Sequence, residues 1–370
     1  MNHSILLYLC RMIPLLAKVF GFPYSGVLWL RHVCYDYGLI RSIRPVVPTL
    51  SIGNITVGGT GKTPHTELVL TLFSQDMPVA VLSRGYRRRS KGFRYVSADD
   101  CVADVGDEPL QIKRKFPNVV VAVDRNRIAG IQRIYQDYPQ TRLVVLDDAF
   151  QYRKLIPSVS MLLSPYSLPF TRDALWPFGR LRDLPTQAKR AQVMVVSKTP
   201  SMVSTEEREY QIQLLKPNKN QCLLFSHYSY GAPCALFPHN KLLHSPSHPP
   251  DQVLAITGIA RPESFLAQIR KRAKVLEYLK FPDHHVFTKK DALRINAIQA
   301  KHPDVAIYTT EKDAMRLLET SGLSPQVCAA LHYIPIRAEF CSIEECRQFM
   351  ELIMGKCVQS SFTFVQLSNH

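Results

Sequence analysis

Short apolar runs alternate with amphipathic stretches along most of this chain. The runs are rich in Val, Ile and Leu, as is typical of strands that are buried on both faces. The predicted strands are Thr49–Ile52, Val79–Ser83, Val119–Val123, Leu143–Asp148, Val159–Leu163, Val193–Ser197, Leu223–His227, Val253–Thr257, Val275–Phe281, Val305–Thr310 and Tyr333–Ile336. The predicted helices are Pro64–Ser74, Asn126–Tyr135, Thr205–Leu215, Pro262–Lys271, Lys289–Lys301, Lys312–Thr320 and Ile343–Met354. This alternation predicts an α/β fold with mostly parallel sheets and helices on both faces.

The alternation is interrupted over residues 231–250. This stretch is rich in Pro and His and has no apolar period, which predicts a loop or hinge. The chain has 370 residues, enough for two lobes that each bury a core. We therefore predict a larger N-terminal lobe at residues 36–230 and a smaller α/β C-terminal lobe at residues 251–370.

Residues 1–35 form an unusually apolar N-terminal segment. Arg11 and Lys18 interrupt the run, so no stretch is long and charge-free enough to predict a spanning helix. No small-residue cleavage site follows, which argues against a secretory signal. Two interpretations remain open. The segment is either an interfacial helix whose basic residues face lipid head groups or an amphipathic helix packed on the protein's own core.

A glycine-rich segment follows the first predicted strand and carries the sharpest chemical signal. Gly58, Gly59 and Gly61 allow backbone N–H groups to turn around an anion. Lys62 would reach the β- and γ-phosphates of a nucleotide, and the Thr63 hydroxyl would bind Mg²⁺. The predicted phosphate-binding residues are Thr56, Val57, Gly58, Gly59, Thr60, Gly61, Lys62 and Thr63. A turn that binds nothing would not need this order of strand, glycines, Gly-Lys-Thr and helix, so we predict a P-loop NTPase-like sheet in the larger lobe.

A second strand, Leu143–Asp148, ends in two carboxylates. In phosphate-loop enzymes such a strand lies beside the first and offers an Asp to Mg²⁺. In an extended strand Asp147 and Asp148 would point to opposite sides, so only one would reach the metal directly. The alternative is a solvated strand end, but the phosphate loop favours the metal site.

The charge balance points to anionic partners. The chain has 46 Lys plus Arg against 30 Asp plus Glu, a formal charge of +16. This excess fits phosphorylated substrates, an acidic membrane face or nucleic acid. A basic cluster at residues 84–94 would hold a phosphorylated substrate or meet anionic lipid, unless it is a solvated loop. RNA binding is less favoured because only Tyr86, Phe93 and Tyr95 offer stacking surfaces there.

The remaining composition narrows the class of protein. Hydrophobic residues make up 46% and charged residues 21%, which excludes a disordered chain and a collagen. The nine Cys form no C-x-x-C pair, which argues against a zinc ribbon and a disulfide framework and fits a reducing compartment.

Two further segments carry candidate catalytic residues. Asp107 precedes a predicted helix and is either a helix cap or a general base. His284 and His285 follow a predicted strand. Adjacent histidines there would bind a metal, tune a base or lie on the surface without function.

Taken together and in order, these segments resemble the tetraacyldisaccharide 4'-kinase family, the lipid A 4'-kinases of Gram-negative bacteria. The segments that carry the resemblance are Tyr35–Gly38, Gly53–Pro64, Ser83–Tyr86, Gly106–Pro109, Asp147–Gln151, Gly179–Asp183, Thr257–Ile259, Phe281–His285 and Thr310–Asp313. Thr56, where the general phosphate loop has Gly, follows the family's habit. The chain departs from the family at Ala149, Tyr152 and Asp183, where Gly, His and Glu are frequent.

The resemblance implies a Mg²⁺- and ATP-dependent kinase on the cytoplasmic face of the inner membrane. It would phosphorylate the 4'-hydroxyl of a tetraacylated glucosamine disaccharide 1-phosphate, an anionic glycolipid, and form lipid IVA. The family's general base is similar to Asp107, and its assisting His is similar to His284. The resemblance further implies Asp147 and Asp148 as Mg²⁺ ligands, with Arg182 and Asp183 lining the site. We expect a monomer without a nucleic-acid partner.

The alternative is a P-loop switch NTPase that acts on a protein partner. It explains the phosphate loop and the Asp pair equally well. Ser197–Thr199 and Thr310–Asp313 faintly resemble guanine-reading motifs, but neither has the leading Asn of such readers. This alternative does not account for the apolar N-terminus as simply as a lipid kinase does.

Overall fold

The computed structural model describes residues 24–238 and 250–367, with side chains up to residue 357. The strands are β1 (Thr49–Gly53), β2 (Val79–Ser83), β3 (Arg94–Tyr95), β4 (Val120–Val123), β5 (Leu143–Asp147), β6 (Val159–Pro165), β7 (Val193–Ser197), β8 (Cys222–Tyr230), β9 (Cys234–Ala235), β10 (Gln252–Thr257), β11 (Lys274–Lys280), β12 (Ala306–Thr310), β13 (Leu331–Ile334) and β14 (Ile336–Phe340). The helices are α1 (residues 24–36), α2 (Lys62–Phe73), α3 (Val102–Val105), α4 (Asp107–Lys115), α5 (Arg127–Asp137), α6 (Thr205–Leu215), α7 (Glu263–Arg270), α8 (Lys289–Lys301), α9 (Glu311–Leu317), α10 (Pro325–Ala330) and α11 (Ile343–Leu367).

The described residues group into two units that are each built from separate stretches of chain. One unit comprises residues 24–82, 126–227 and 339–367, and the other comprises residues 83–125, 228–238 and 250–338. The division into residues 36–230 and 251–370 remains a prediction of domain organisation. Each observed unit brings together segments that are distant in sequence.

The first unit is organised around a sheet in which β8, β7, β6, β1, β5 and β2 are neighbours in that order. Each of these pairs is parallel. β1 is central, and its Ile52 lies opposite Asp147 of β5. The carboxyl ends of the central strands therefore meet at one edge, where the phosphate loop begins.

The second unit contains a smaller sheet with the order β11-β10-β12-β13-β9. The first four strands are parallel, and β9 runs antiparallel to β13. β3 and β4 pair antiparallel, with Arg94 opposite Val123. Apolar residues of β10, β12, α8 and α9 form the core, among them Ile256, Ile307, Ile295 and Leu317.

The predicted α/β class with mostly parallel sheets is confirmed by this topology. The predicted strand Tyr333–Ile336 overlaps the end of β13 and the first residue of β14, so only its bounds are wrong. Pro335 has no N–H to donate, and β13 ends before it while β14 begins after it. Part of the predicted loop at residues 231–250 forms β9, and residues 239–249 lie outside the described residues.

The predicted membrane-associated segment falls largely outside the described residues, including Arg11 and Lys18. Its described end lies in α1, where Val27, Trp29 and Leu30 are exposed. Among the described residues, we find no helix that is both long and apolar enough to cross a membrane. The membrane association of this segment remains a prediction.

Candidate active site

The phosphate loop connects β1 to α2 in the first unit. Gly58 and Gly61 have φ angles of 104° and 98°, a left-handed backbone region that favours glycine. Lys62 and Thr63 form the first turn of α2, and Pro64 suits that turn because its missing N–H would have no helical partner there. The predicted strand, glycine turn and helix are thus adjacent in the fold, with the helix N-terminus at the loop.

Side chains from neighbouring segments fix the carbonyl groups of this loop. Ser197 Oγ donates a hydrogen bond to the Thr60 carbonyl at 2.9 Å, and Lys198 Nζ donates to the Gly59 carbonyl at 2.7 Å. His65 Nδ1 donates to the Gly61 carbonyl at 2.7 Å. Burial of His65 lowers its pKa to about 4, so its ring is neutral at pH 7 and Nε2 accepts from Ser226.

Sequence reasoning missed the role of these contacts in the phosphate loop. The available signal was Ser197–Thr199 at the end of a predicted strand, which the sequence suggested only as a weak guanine-reading motif. Lys198 has a φ of 58°, an uncommon backbone conformation for a non-glycine residue. Through the hydrogen bonds of Ser197 and Lys198, this motif therefore holds the carbonyl groups of the phosphate loop.

Asp147 and Asp148 lie where β5 ends, beside the phosphate loop. Asp147 is the last residue of the strand and is buried. Asp148 has a φ of 48°, so the chain turns there and the strand does not extend to it as predicted. Its Oδ2 lies 3.8 Å from Lys62 Nζ, and its Oδ1 accepts a hydrogen bond from Arg182 Nη2 at 2.5 Å.

The charges around Asp148 determine its protonation state. Burial favours the neutral carboxyl group, but Lys62, Arg182 and Arg127 outweigh it and lower the pKa of Asp148 below its ordinary value. Arg182 also donates to Asn54 Oδ1 at 2.6 Å, and Asn54 Nδ2 donates to Thr60 Oγ1 at 2.6 Å. One network thus joins Asp148 to the phosphate loop.

The donor set at this edge suits Mg²⁺. The two carboxylates and the Thr63 hydroxyl are oxygen donors, the ligand type that hard divalent cations prefer. Within the described part of the chain, no group of three or more His, Cys, Asp or Glu side chains could hold a metal.

Asp183 does not join the cluster of Arg182 and Asp148. Its carboxylate is fully buried and lies 2.6 Å from His32 Nε2 of α1. Tyr24 Oη, also from α1, donates to the Arg182 carbonyl at 3.2 Å. Helix α1 therefore contacts both residues of this pair, and the lining role implied for Asp183 remains a prediction.

A second cluster of candidate catalytic groups lies in the second unit, where Asp107 begins α4. His284 Nδ1 lies 3.1 Å from Asp107 Oδ2. Arg316 Nη1 donates to the same oxygen at 3.4 Å, and Lys312 Nζ lies 3.9 Å from it. Asp107 and His284, which are far apart in sequence, are therefore in contact, and both Lys312 and Arg316 come from α9.

This environment keeps Asp107 ionised. Burial alone would raise the pKa of its carboxyl group, but Lys312, His284 and Arg316 hold that pKa well below its usual range. Glu108 and Asp107 in turn raise the pKa of Lys312 against the effect of burial, so Lys312 stays an ammonium.

Backbone groups around Gly258 hold this cluster in place. The Gly258 carbonyl accepts from His284 N at 3.2 Å and from Arg316 Nη2 at 3.0 Å. Asp313 Oδ2 accepts from Gly258 N at 2.9 Å and from the Thr310 hydroxyl. A Cβ at Gly258 would lie 2.9 Å from Asp313 Oδ1, so this close approach requires glycine.

The basic cluster at residues 84–94 is only partly free for a ligand. Arg88 is buried, with its guanidinium on Ser90 and the Gly92 carbonyl, and burial lowers its pKa. Arg94 forms an ion pair with Asp100. The exposed basic residues of the cluster are Arg84, Arg87, Arg89 and Lys91.

Comparison with known proteins decides between the kinase and the switch NTPase. The family model described as tetraacyldisaccharide-1-P 4'-kinase matches residues 13–354. The chain belongs to this family. A tetraacyldisaccharide 4'-kinase from Parabacteroides distasonis is 37% identical over 348 residues, which cover 92% of this chain and 93% of that protein. The corresponding kinase from Phocaeicola vulgatus is 36% identical over 322 residues, covering 86% of this chain and 88% of that protein.

A solved structure shows the same fold. The crystal structure of LpxK from Aquifex aeolicus in complex with ATP matches with a TM-score of 0.68 at 23% identity, covering 92% of this chain and 98% of that one. The predicted family and enzyme class, a tetraacyldisaccharide 4'-kinase, are thus confirmed by the family model and the relatives. The switch NTPase is not favoured, because the relatives that this chain matches over most of their length are named tetraacyldisaccharide 4'-kinases.

Proposed function

We propose that this member of the tetraacyldisaccharide-1-P 4'-kinase family transfers the γ-phosphoryl group of ATP to the 4'-hydroxyl of a tetraacyldisaccharide 1-phosphate, forming lipid IVA in lipid A biosynthesis. The observation that carries the proposal is the family match over residues 13–354 in a chain with an intact phosphate loop. The exposed arginines at residues 84–89 support it further, because an anionic glycolipid needs cationic groups to receive its phosphate.

The first unit supplies the nucleotide-binding groups in this proposal. Lys62 offsets the charge on the β- and γ-phosphates, and Arg182 remains on Asp148. Thr63 and the Asp147–Asp148 pair would hold Mg²⁺. That ion would supply positive charge to offset the negative charge that develops as the phosphoryl group leaves.

Asp107 acts as the general base. The 4'-hydroxyl gives its proton to the Asp107 carboxylate as its oxygen forms the new bond to phosphorus and the bond to the ADP oxygen breaks. A carboxylate with a lowered pKa is a weak base, but positioning and charge stabilisation contribute most in phosphoryl transfer. Its low pKa keeps Asp107 ready to accept a proton across the neutral range.

The experiment that tests the proposal is an acceptor assay. Purified protein is incubated with MgATP and the tetraacyldisaccharide 1-phosphate, and the product is analysed by mass spectrometry. We expect one added phosphate at the 4'-position, formed with ATP in preference to GTP. Hydrolysis of nucleotide without a phosphorylated acceptor, combined with a strong GTP preference, would instead support the switch NTPase.

We propose further that the protein works at the cytoplasmic face of the inner membrane through its N-terminal segment. The lipid substrate and the formal charge of +16 support this location. Val27, Trp29 and Leu30 of α1 are 65%, 60% and 56% exposed, which leaves apolar surface beside the segment. A monomer without a nucleic-acid partner remains our prediction for its assembly.

Removing residues 1–23 is expected to weaken binding to anionic vesicles while keeping residues 24–36 of α1 in the chain. The deletion takes away the apolar run with Arg11 and Lys18, which together would bind acyl chains and head groups. Cosedimentation with vesicles that contain anionic lipid measures the effect, and vesicles of neutral lipid provide the comparison. Full retention of binding would favour the alternative in which the segment packs on the protein's own core.

A further inference from the structure

Lys312 has a set of contacts that the proposed reaction does not use. Its Nζ donates to Glu108 Oε1 at 2.9 Å and lies 3.3 Å from His284 Nε2. It also lies 3.9 Å from Asp107 Oδ2. A single ammonium group therefore faces both members of the Asp107–His284 pair.

These contacts determine which nitrogen of His284 carries the proton. A lysine ammonium has three N–H donors and no acceptor, so its hydrogen bond to Nε2 requires the lone pair of that nitrogen. A neutral imidazole with its lone pair on Nε2 carries its proton on Nδ1. That proton points to Asp107, whose Oδ2 is 3.1 Å away.

The backbone at His284 supports this orientation of the ring. His284 has a φ of 57°, a left-handed conformation that is uncommon for a non-glycine residue and is often found at functional sites. Its N–H donates to the Gly258 carbonyl at 3.2 Å, and the Tyr86 ring lies 5.4 Å from its ring. The ring is therefore held on several sides, with an acceptor, Asp107, at Nδ1 and a donor, Lys312, at Nε2.

We propose that Lys312 is a positioning residue for phosphoryl transfer, which holds His284 in the Nδ1–H tautomer so that the imidazole donates to Asp107. This inference rests on the proposed role of Asp107 as the base. The Nδ1–H bond orients the carboxylate toward the acceptor hydroxyl, and the hydroxyl proton ends on Asp107. His284 keeps its own proton throughout.

The effect of removing Lys312 on the pKa of Asp107 depends on the other groups that face this carboxylate. His284, Lys312 and Arg316 surround its Oδ2, and Glu108 N donates to its Oδ1 at 3.0 Å. Asp283 adds a carboxylate 3.9 Å from His284 Nε2. Loss of the Lys312 charge leaves Arg316 as the remaining permanent cation among these groups, so the pKa of Asp107 would rise toward its ordinary value.

Lys115 provides a matched control. Like Lys312, it is a partly buried lysine, with 24% of its side chain exposed against 23%. It also joins α4 to α9, through an ion pair with Glu311 at 3.2 Å. Lys115→Met therefore removes a comparable ion pair between the same helices without touching His284.

The first measurement reads the tautomer directly. Histidine rings are labelled with ¹⁵N, and two-bond proton–nitrogen correlations are recorded at neutral pH, with His284→Gln used to assign the His284 signals. We expect the Nδ1–H tautomer in the wild-type protein and in Lys115→Met, and its loss in Lys312→Met. An Nε2–H tautomer or an imidazolium in the wild-type protein, or an Nδ1–H tautomer that survives in Lys312→Met, would overturn the proposal.

The second measurement is the pH profile of kcat/KM for the acceptor. We expect Lys312→Met to lower kcat roughly 10- to 100-fold, as misplacement of a catalytic group does. The acidic limb of the kcat/KM profile of Lys312→Met should move to higher pH, while its KM for ATP stays unchanged. Lys312→Arg, which keeps a cationic donor, should recover part of both effects, and Lys115→Met should match the wild-type enzyme.

The two measurements separate this inference from the proposed function. If the wild-type enzyme phosphorylates the acceptor but Lys312→Met keeps the wild-type pH profile, the positioning role is wrong and the kinase function stands. If the wild-type enzyme does not phosphorylate the acceptor, the proposed function fails. The tautomer measurement still tests the role of Lys312 in that case.

Discussion

Replacing Lys62 by alanine is expected to lower kcat by about 100- to 1,000-fold, because the variant loses a fixed positive charge at the phosphates where negative charge develops. Lys62 starts α2 at the end of the phosphate loop, and its Nζ lies 3.8 Å from Asp148 Oδ2. The fold should persist, since Arg182 still pairs with Asp148 at 2.5 Å. Steady-state phosphorylation of the lipid acceptor measures kcat, and calorimetric titration with MgATP measures nucleotide affinity.

Two further variants show whether the loss is specific to the position. Lys154→Ala removes an exposed lysine of the same unit and should leave kcat near the wild-type value. Lys62→Arg keeps the charge on a wider, planar group and should recover only part of the activity. Near-normal turnover in Lys62→Ala would rule out the proposed role of Lys62 at the phosphates.

The phosphate loop could be predicted because its signal is local. Gly58, Gly61, Lys62 and Thr63 are neighbours in sequence, and their chemistry depends on a strand, a turn and a helix in direct succession. Buried parallel strands such as β5 and β7 are equally local signals, since both faces demand apolar residues. Such features depend little on the rest of the fold.

The cluster around Asp107 could be predicted only in part. Asp107, His284 and Lys312 come from three distant segments, and their contact depends on how α4 and α9 pack. Family resemblance suggested the first two residues, but neither period nor composition indicated that Lys312 would reach the histidine. Arg88 also belongs to the basic cluster at residues 84–94 that the sequence suggested as a ligand-binding surface, but its side chain is buried against its own loop.

The contacts of Asp183 could not be predicted from the sequence for the same reason. Its position beside Arg182 suggested a shared role, because adjacent residues of a motif are expected to act together. The two side chains in fact contact different partners, Asp148 for Arg182 and His32 of α1 for Asp183. Which direction each side chain takes depends on the tertiary position of α1, and no local pattern encodes it.

Replacing Asp107 by asparagine is expected to lower kcat by about two to four orders of magnitude, the range that a general base contributes. Asparagine has nearly the shape of aspartate but cannot accept the hydroxyl proton. KM for ATP should stay near the wild-type value, because the phosphate loop is unchanged. Single-turnover phosphorylation of the acceptor separates the chemical step from substrate binding and product release.

Stability provides a second readout of the same substitution. The pKa of Asp107 is lowered in the folded state, so its charge stabilises the fold above the unfolded pKa, and this contribution is lost as pH falls through the folded pKa. Asp107→Asn should therefore reduce the free energy of unfolding at neutral pH and narrow its difference from the wild-type protein in acid. Urea unfolding at several pH values measures this difference.

Asp291 offers the matched control for Asp107. It is also a carboxylate paired with a histidine, since it contacts His285, the neighbour of His284. Its Oδ2 lies 3.0 Å from His285 Nε2 and also accepts from Thr288 N in the N-terminal cap of α8. Asp291→Asn should weaken that cap but keep kcat and the pH profile, since the hydrogen bonds of Asp291 go to His285 and Thr288 and not to Asp107 or the His284 ring. Equal losses of turnover in both variants would mean that Asp107 acts through the stability of the second unit, whereas a loss confined to Asp107→Asn supports a direct role of its carboxylate in the reaction.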